Sequence, residues 1–279
     1  MFNRYGPTTL VREVIVIAVA LVMLLPFYLL VVMAFKDKQE AVTSSPVALP
    51  EAPTLDNFIT VFTGSGSRSV LLGLFNSAII TACSLVLLIA LGSIAAYVIA
   101  RRAGRVSNSA YIFFVVGIIL PFQLGMIPAY VALRSTHLVG THFGMILLYA
   151  GLLLPLSVFL YTATARTIPL EYEEAASIDG ASKLRVFTTV VFPLLSPATG
   201  TVAILAGLVI WNDFFTSLIF LSGSKATTIP VVMYSFVGEN VTEWNLVFAV
   251  VIVSMIPILA FYLLAQKKFI QGFAGGLKG

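Results

Sequence analysis

The stretch NSAIITACSLVLLIALGSIAAYVIAR occupies residues 76–101, and its first charge is Arg101 at the very end. About 20 mostly apolar residues in helical form span the hydrocarbon of a bilayer. Lipid offers no partner to a free N–H or C=O, so such a run must satisfy its own backbone as a helix. Counted from residue 70, the run is longer than a membrane requires, and its start is expected to lie outside. The stretch predicts an all-α integral membrane protein.

The rest of the chain repeats the pattern. Spans are expected at about 13–35, 70–100, 109–133, 143–165, 197–221 and 245–265. None has the short dyad alternation of a membrane barrel. Of the 279 residues, 59% are hydrophobic and only 10% charged, and the mean hydropathy is +1.03. A soluble domain is roughly a quarter charged, so this chain lacks the polar surface for water. The first run is long and has no small-residue cleavage site before a polar domain, so it is expected to be a retained span. Cys83, the only cysteine, is expected to be a small core residue.

The loops set an expected orientation. Arg4, Arg12, Arg101, Arg102, Arg105, Arg166, Lys183, Arg185, Lys267, Lys268 and Lys278 fall on one side, 11 of the 16 basic residues. Lys36, Lys38, Arg68, Arg134 and Lys225 fall on the other. Basic residues are retained in the cytoplasm, which places both termini there and explains a net charge of +4 without nucleic acid. The outer segment 36–69 contains SSPVALPEAPTLDNF, whose three prolines predict a stiff, extended, non-helical course.

The cytoplasmic loop 166–196 carries EYEEAASIDGA at 171–181, with four of the chain's 12 acids. Pro169 suits a first helical position. Glu171, Glu173 and Glu174 follow within a turn, where the helix dipole favours them. Tyr172, Ala175, Ala176 and Asp179 are spaced to share one face, and Gly180 fits a left-handed helix end. A second helix is expected over about 182–192, with Pro193 and Pro197 breaking the chain before span five. Small residues ringed by carboxylates suit close approach by a basic partner; a solvated surface helix is the competing reading.

This loop, EAASIDGASKLRVFTTVVFP, resembles the EAA signature of ABC importer permease subunits. Glu174, Ala175, Ala176, Gly180 and Pro193 match at the family's spacing, while Val190 and Phe192 replace the usual Ile and Leu. Residues 76–101, WNDF at 211–214 and the ending AQKKFIQGFAGGLKG (265–279) are similar to the shorter, six-span subunit of maltose-type sugar permeases. The resemblance covers essentially the whole chain. It implies one permease domain over 1–279, with a core of about 70–265, in a bacterial or archaeal cytoplasmic (inner) membrane. It implies a second, different permease subunit, two ATPase copies, an extracytoplasmic solute-binding protein and a sugar or oligosaccharide substrate. It also implies that Glu174, Ala175, Ala176 and Gly180 form the face that docks on the ATPase. Asp179 would be a polar contact, and Pro193 would set the loop's exit.

No Gly-Lys dipeptide exists to build a phosphate-binding Walker loop, so energy must come from a partner or an ion gradient. His137 and His142 have no acid or cysteine in their short loop to complete a metal site. No Gly-x-Ser-x-Gly or His-Glu-x-x-His sequence is present, so neither an enzyme nor a cofactor is expected. Away from the span ends, Asp213 is the one acid within the spans, flanked by Asn212 and Trp211. A charge in the bilayer must face a protein or water interior. This trio would either line a sugar pathway or brace a helix junction. Gln123 sits between Pro121 and Pro128, which are expected to kink span three; it would either face a cavity or satisfy freed carbonyls. An ion-coupled secondary transporter is the alternative reading, disfavoured because it would want ionisable residues deep in several spans and only Asp213 qualifies.

Overall fold

The computed structural model describes residues 7–237 and 242–275; Arg4, Lys278 and the last four residues of the ending lie outside them. Every regular element among the described residues is helical. The residues fall into two compact units, one of Met1–Val70 with Val232–Ile256 and one of Leu71–Val231 with Pro257–Gly279.

In the first unit, α1 (Pro7–Ala34) is followed by α2 (Lys38–Thr43) and α3 (Asp56–Thr63). Between them Ser44–Leu55 holds no helix, as the prolines require, although α2 and α3 make the segment 36–69 more helical than expected. Apolar side chains along α1, from Leu10 to Leu25, are exposed; the surroundings that accept them are lipid, not water. Beyond α1 the chain is pinned by polar bonds. Asn57 donates to the carbonyls of Ala34 (2.8 Å) and Lys36 (2.7 Å), and its Oδ1 accepts from Asn245 (2.6 Å). Lys36 is fully buried, its ammonium donating to Ser44 Oγ and the Ser45 carbonyl.

Glu243 joins Lys38 (3.1 Å) and Arg68 (2.7 Å). Burial opposes its ionisation, but the Lys38 hydrogen bond and the charges of Arg68 and Lys38 outweigh that and hold the carboxyl below its ordinary value. A depressed carboxyl stabilises the fold above its unfolded pKa and loses that contribution as pH falls through the folded one. Trp244 adjoins Glu243 and is half exposed. In a Trp211→Phe background its fluorescence is expected to titrate on the acid side of the ordinary glutamate range, and Glu243→Gln is expected to abolish the transition. A titration unchanged by Glu243→Gln would refute the assignment.

The second unit continues with α4 (Val70–Arg101), α5 (Arg105–Ile119), α6 (Met126–Ser135) and α7 (His142–Ala165). Next come α8 (Glu171–Ile178), α9 (Lys183–Val186), α10 (Phe192–Leu194), α11 (Ser196–Asn212), α12 (Phe215–Leu221) and the start of α13 (Ile229–Tyr234), which passes to the first unit after Val231. The last helix is α14 (Trp244–Gly275), which from Pro257 belongs to this unit. Helix α7 packs between α5 and α11, with Tyr149, Val158, Tyr161 and Ala165 fully buried. Gly92 lets α4 approach α7 at Ser157, whose hydroxyl donates to the Leu88 carbonyl (3.0 Å). Small residues permit such close crossings in lipid.

Among the described residues, four helices are long and apolar enough to cross a membrane: Thr9–Ala34, Val70–Arg101, His142–Ala165 and Trp244–Leu263. They coincide with expected spans one, two, four and six. Two further pairs qualify only as bent units, Arg105–Ile119 with Phe122–Ser135 (96°) and Lys183–Leu194 with Ser196–Asn212 (70°). The first bend follows from Pro121. A residue before proline is driven out of helical conformation, and Leu120 is extended at φ −69°, ψ 128°. Pro128, expected to add a kink, lies in the first turn of α6, where its missing N–H costs nothing. The expected span 197–221 is likewise interrupted, at Asp213 (φ −72°, ψ 108°). Cys83, expected in the core, is exposed on α4; an apolar position in a membrane helix faces lipid as readily as protein.

Candidate functional site

The loop between α7 and α11 is built from local signals. Pro169, expected at the first helical position, stands two residues before it, with Leu170 the N-cap of α8. Glu171, Glu173 and Glu174 occupy the first turn, where they complement the partial positive charge of unpaired N–H groups. Asp179 ends the helix and Gly180 adopts φ +82°, the left-handed turn expected there. Ser182 Oγ then accepts from Arg185 N at 3.4 Å to cap α9. The expected single helix over 182–192 is α9 followed by a π-helical turn, Phe187–Val191, and α10 with Pro193 in it.

Helix α8 has two unlike faces. Tyr172, Glu174, Ala175, Ile178 and Asp179 are exposed, as is Gly180. Ile178 is 86% exposed, with Leu184 of α9 at 72%. Ala176 is half-buried against the cluster that includes Ala96, Tyr161 and Val186. The face expected to unite Ala175 with Ala176 is therefore divided, because adjacent helical residues point about 100° apart. What remains outward is an apolar surface edged by carboxylates, with nothing within 4 Å of a Cβ placed on Gly180.

Glu173 points inward. Its Oε1 accepts from Arg101 Nε (2.6 Å) and its Oε2 from the Tyr97 hydroxyl (2.7 Å). Arg101 Nη2 also donates to the Ile168 carbonyl at 3.0 Å. The side chains of Arg101 and Glu173 are 14% and 13% exposed. Sequence reasoning treated Glu173 as one acid among three and Arg101 as a topology marker. Their partnership spans 72 residues, and the legible hint was that Glu173 lies three residues before Ala176 on one side of α8.

The residues expected near a pathway have separate surroundings. Gln123 is exposed in a one-turn 3-10 helix between α5 and α6. Asn212 is exposed and donates to the Leu208 carbonyl (2.8 Å). Trp211 is buried and lines a pocket of about 190 Å³ with Thr81, Leu85, Gly207, Pro257 and Phe261. Asp213 braces the α11–α12 junction: Oδ1 accepts from Thr216 N (3.1 Å) and Oδ2 from the Tyr149 hydroxyl (3.0 Å), itself 3.2 Å from Ser217 Oγ. Tyr149 was not anticipated, since nothing in the sequence links it to a residue 64 positions away. His142 Nε2 lies 2.7 Å from Asn76 Oδ1, and Asn76 Nδ2 donates to the carbonyls of Lys225 and Thr227.

Known proteins share this architecture. A solved bacterial ABC transporter described as involved in the import of the acidic polysaccharide alginate has a chain with TM-score 0.82 at 20% identity, covering 96% of this chain and 99% of that one. The melibiose/raffinose/stachyose import permease protein MelC of Bacillus subtilis is 36% identical over 253 residues, 90% of each chain. The probable starch degradation products transport system permease protein AmyC of Thermoanaerobacterium thermosulfurigenes is 32% identical over 260 residues, 93% of each. Residues 88–274 match the binding-protein-dependent transport system inner membrane component. A multi-pass helical membrane protein with this match over two-thirds of its length belongs to the family of inner membrane components of binding-protein-dependent, ABC-type transport systems.

Proposed function

We propose that the chain is the permease subunit of an ATP-driven importer of sugars or oligosaccharides. The names of its relatives, which speak of melibiose, raffinose and stachyose or of starch degradation products, support the substrate class. A structural neighbour described in complex with an alginate pentasaccharide-bound periplasmic protein supports delivery by an external solute-binding protein. In this reading each bent helix pair counts as one crossing, giving six spans in a single permease domain over 1–279. Both termini and the α8 loop face the cytoplasm.

The observation that carries the mechanism is the outward face of α8 at EAA-signature positions. Glu174, Ala175, Asp179 and Gly180 are exposed there beside Tyr172 and Ile178. An unsatisfied apolar surface of this kind fits a separate ATPase subunit, with carboxylates pairing to its basic residues. Ala176 holds the helix from behind, and Pro193 shapes the exit toward α11. The chain hydrolyses nothing; two ATPase copies supply the energy, and a second, different permease supplies the other half of the path. Trp211, Asn212, Asp213 and Gln123 remain the candidates for lining it.

The test is uptake of labelled oligosaccharide by right-side-out vesicles loaded with ATP and supplied with the solute-binding protein, together with affinity purification of the chain. An ATPase is expected to copurify, and uptake is expected to need ATP and to ignore uncouplers. Uptake that collapses with the proton gradient would favour the ion-coupled reading and overturn this one.

A further inference from the structure

The outward face of α8 has been assigned a partner, but a gripped helix does no work unless its displacement reaches a span. The Tyr97–Arg101–Glu173 cluster is the place where α8 is tied to one. Tyr97 and Arg101 lie four residues apart on the last turns of α4, hence on the same side of it. Together they bind Glu173 within α8 and, through Arg101, the Ile168 carbonyl in the segment leading into α8. A single bond would let α8 pivot. Attachment at two points on the loop fixes both its position and its angle.

The enclosure matters. Of the three ion pairs among the described residues, this is the one with both side chains mostly buried; Lys38 and Arg68 in the other two are 64% and 46% exposed. In a less polar medium a charge-assisted bond is stronger and an unpaired charge costs more. The other end of the loop is built differently. The Tyr97 ring meets Phe187 at 5.2 Å, and Phe187 meets Phe192 at 6.1 Å. Both phenylalanines bound the π-helical turn, in which Phe187 and Val191 are buried. The loop is thus held by charge-assisted bonds where α8 meets α4 and by buried apolar packing where it runs toward α11.

We infer that Tyr97, Arg101 and Glu173 form the strut that delivers movement of α8 to α4. The inference rests on the reading of α8 as the ATPase contact. These are positioning residues, since none of them touches substrate or nucleotide in this scheme. The strut sets how much transport each hydrolysis event yields, not whether the ATPase binds or whether the chain folds.

The experiment uses the importer purified with its own ATPase and reconstituted in liposomes, and measures sugar moved per ATP hydrolysed. Arg101→Met is expected to retain the ATPase on purification and to lower that ratio about tenfold or more. Tyr97→Phe keeps the ring on Phe187 and loses one hydrogen bond, so a smaller fall is expected with the thermal midpoint unchanged. Charge exchange in Arg101→Glu with Glu173→Arg is expected to recover part of what Arg101→Glu alone loses, the signature of direct coupling in a double-mutant cycle. A wild-type ratio in Arg101→Met and Tyr97→Phe, with the ATPase bound, overturns the strut alone. So does a loss of transport matched by an equal loss of folded complex in both. Failure of any ATPase to copurify with the unaltered chain overturns the docking reading beneath it.

Discussion

Gly180→Val is expected to abolish ATP-driven uptake while the chain still inserts and accumulates in the membrane. Gly180 holds φ +82°, a conformation that costs a non-glycine L-residue about 1–2 kcal/mol and a β-branched one more. A Cβ there meets no atom of this chain within 4 Å, so the strain lies in the backbone and not in a packing clash. The valine distorts the turn after α8 and crowds the outward surface that the ATPase would approach. Asparagine tolerates the left-handed region, so Gly180→Asn separates the two effects. Uptake retained in Gly180→Asn assigns the damage to the backbone; uptake lost assigns it to the occupied surface. Normal uptake by Gly180→Val, at normal membrane abundance, would remove α8 from the coupling scheme.

Gly92→Val has its expected effect on folding instead. A Cβ at Gly92 falls on Ser157 Oγ, and it lies 2.9 Å from Ser157 Cβ. The hydroxyl can rotate away, giving up its bond to the Leu88 carbonyl, but the Cβ contact remains. Relief then requires α4 and α7 to separate, which empties contacts along both helices. Overpacking a close core costs about 1–3 kcal/mol, and valine adds two further methyl groups. The expected readout is a large drop in thermal midpoint and in detergent-extracted folded protein. Gly92→Ala is expected to be milder and to be largely rescued by Ser157→Gly, which removes the opposing carbon. An undiminished midpoint in Gly92→Val would mean that α4 and α7 do not cross here.

Four of the membrane helices could be read from the chain because lipid makes a simple demand: length, apolarity and a paired backbone. The bent pairs were less legible. Pro121 announces an interruption, but its 96° angle depends on which surfaces α5 and α6 find to pack against. The interruption at Asp213 depends on Tyr149 and Thr216, which supply its partners from outside any local pattern. In the α8 loop, Gly180 was legible because only backbone geometry is involved. The parting of Ala175 from Ala176 was not. Both are small, and what decides which turns inward is the bond from Glu173 to Arg101, distant in the chain. Cys83 was misassigned for a related reason: burial follows from apolarity only when the alternative is water.

That exposed thiol on α4 has a practical consequence. Cys83 is the chain's only cysteine, so a small, membrane-permeant nitroxide attached to the detergent-extracted, unmutated chain labels a single position in it, on the same helix as Tyr97 and Arg101. Spectroscopy on such a sample would follow the tilt of that helix through a turnover cycle with no engineered residue at all.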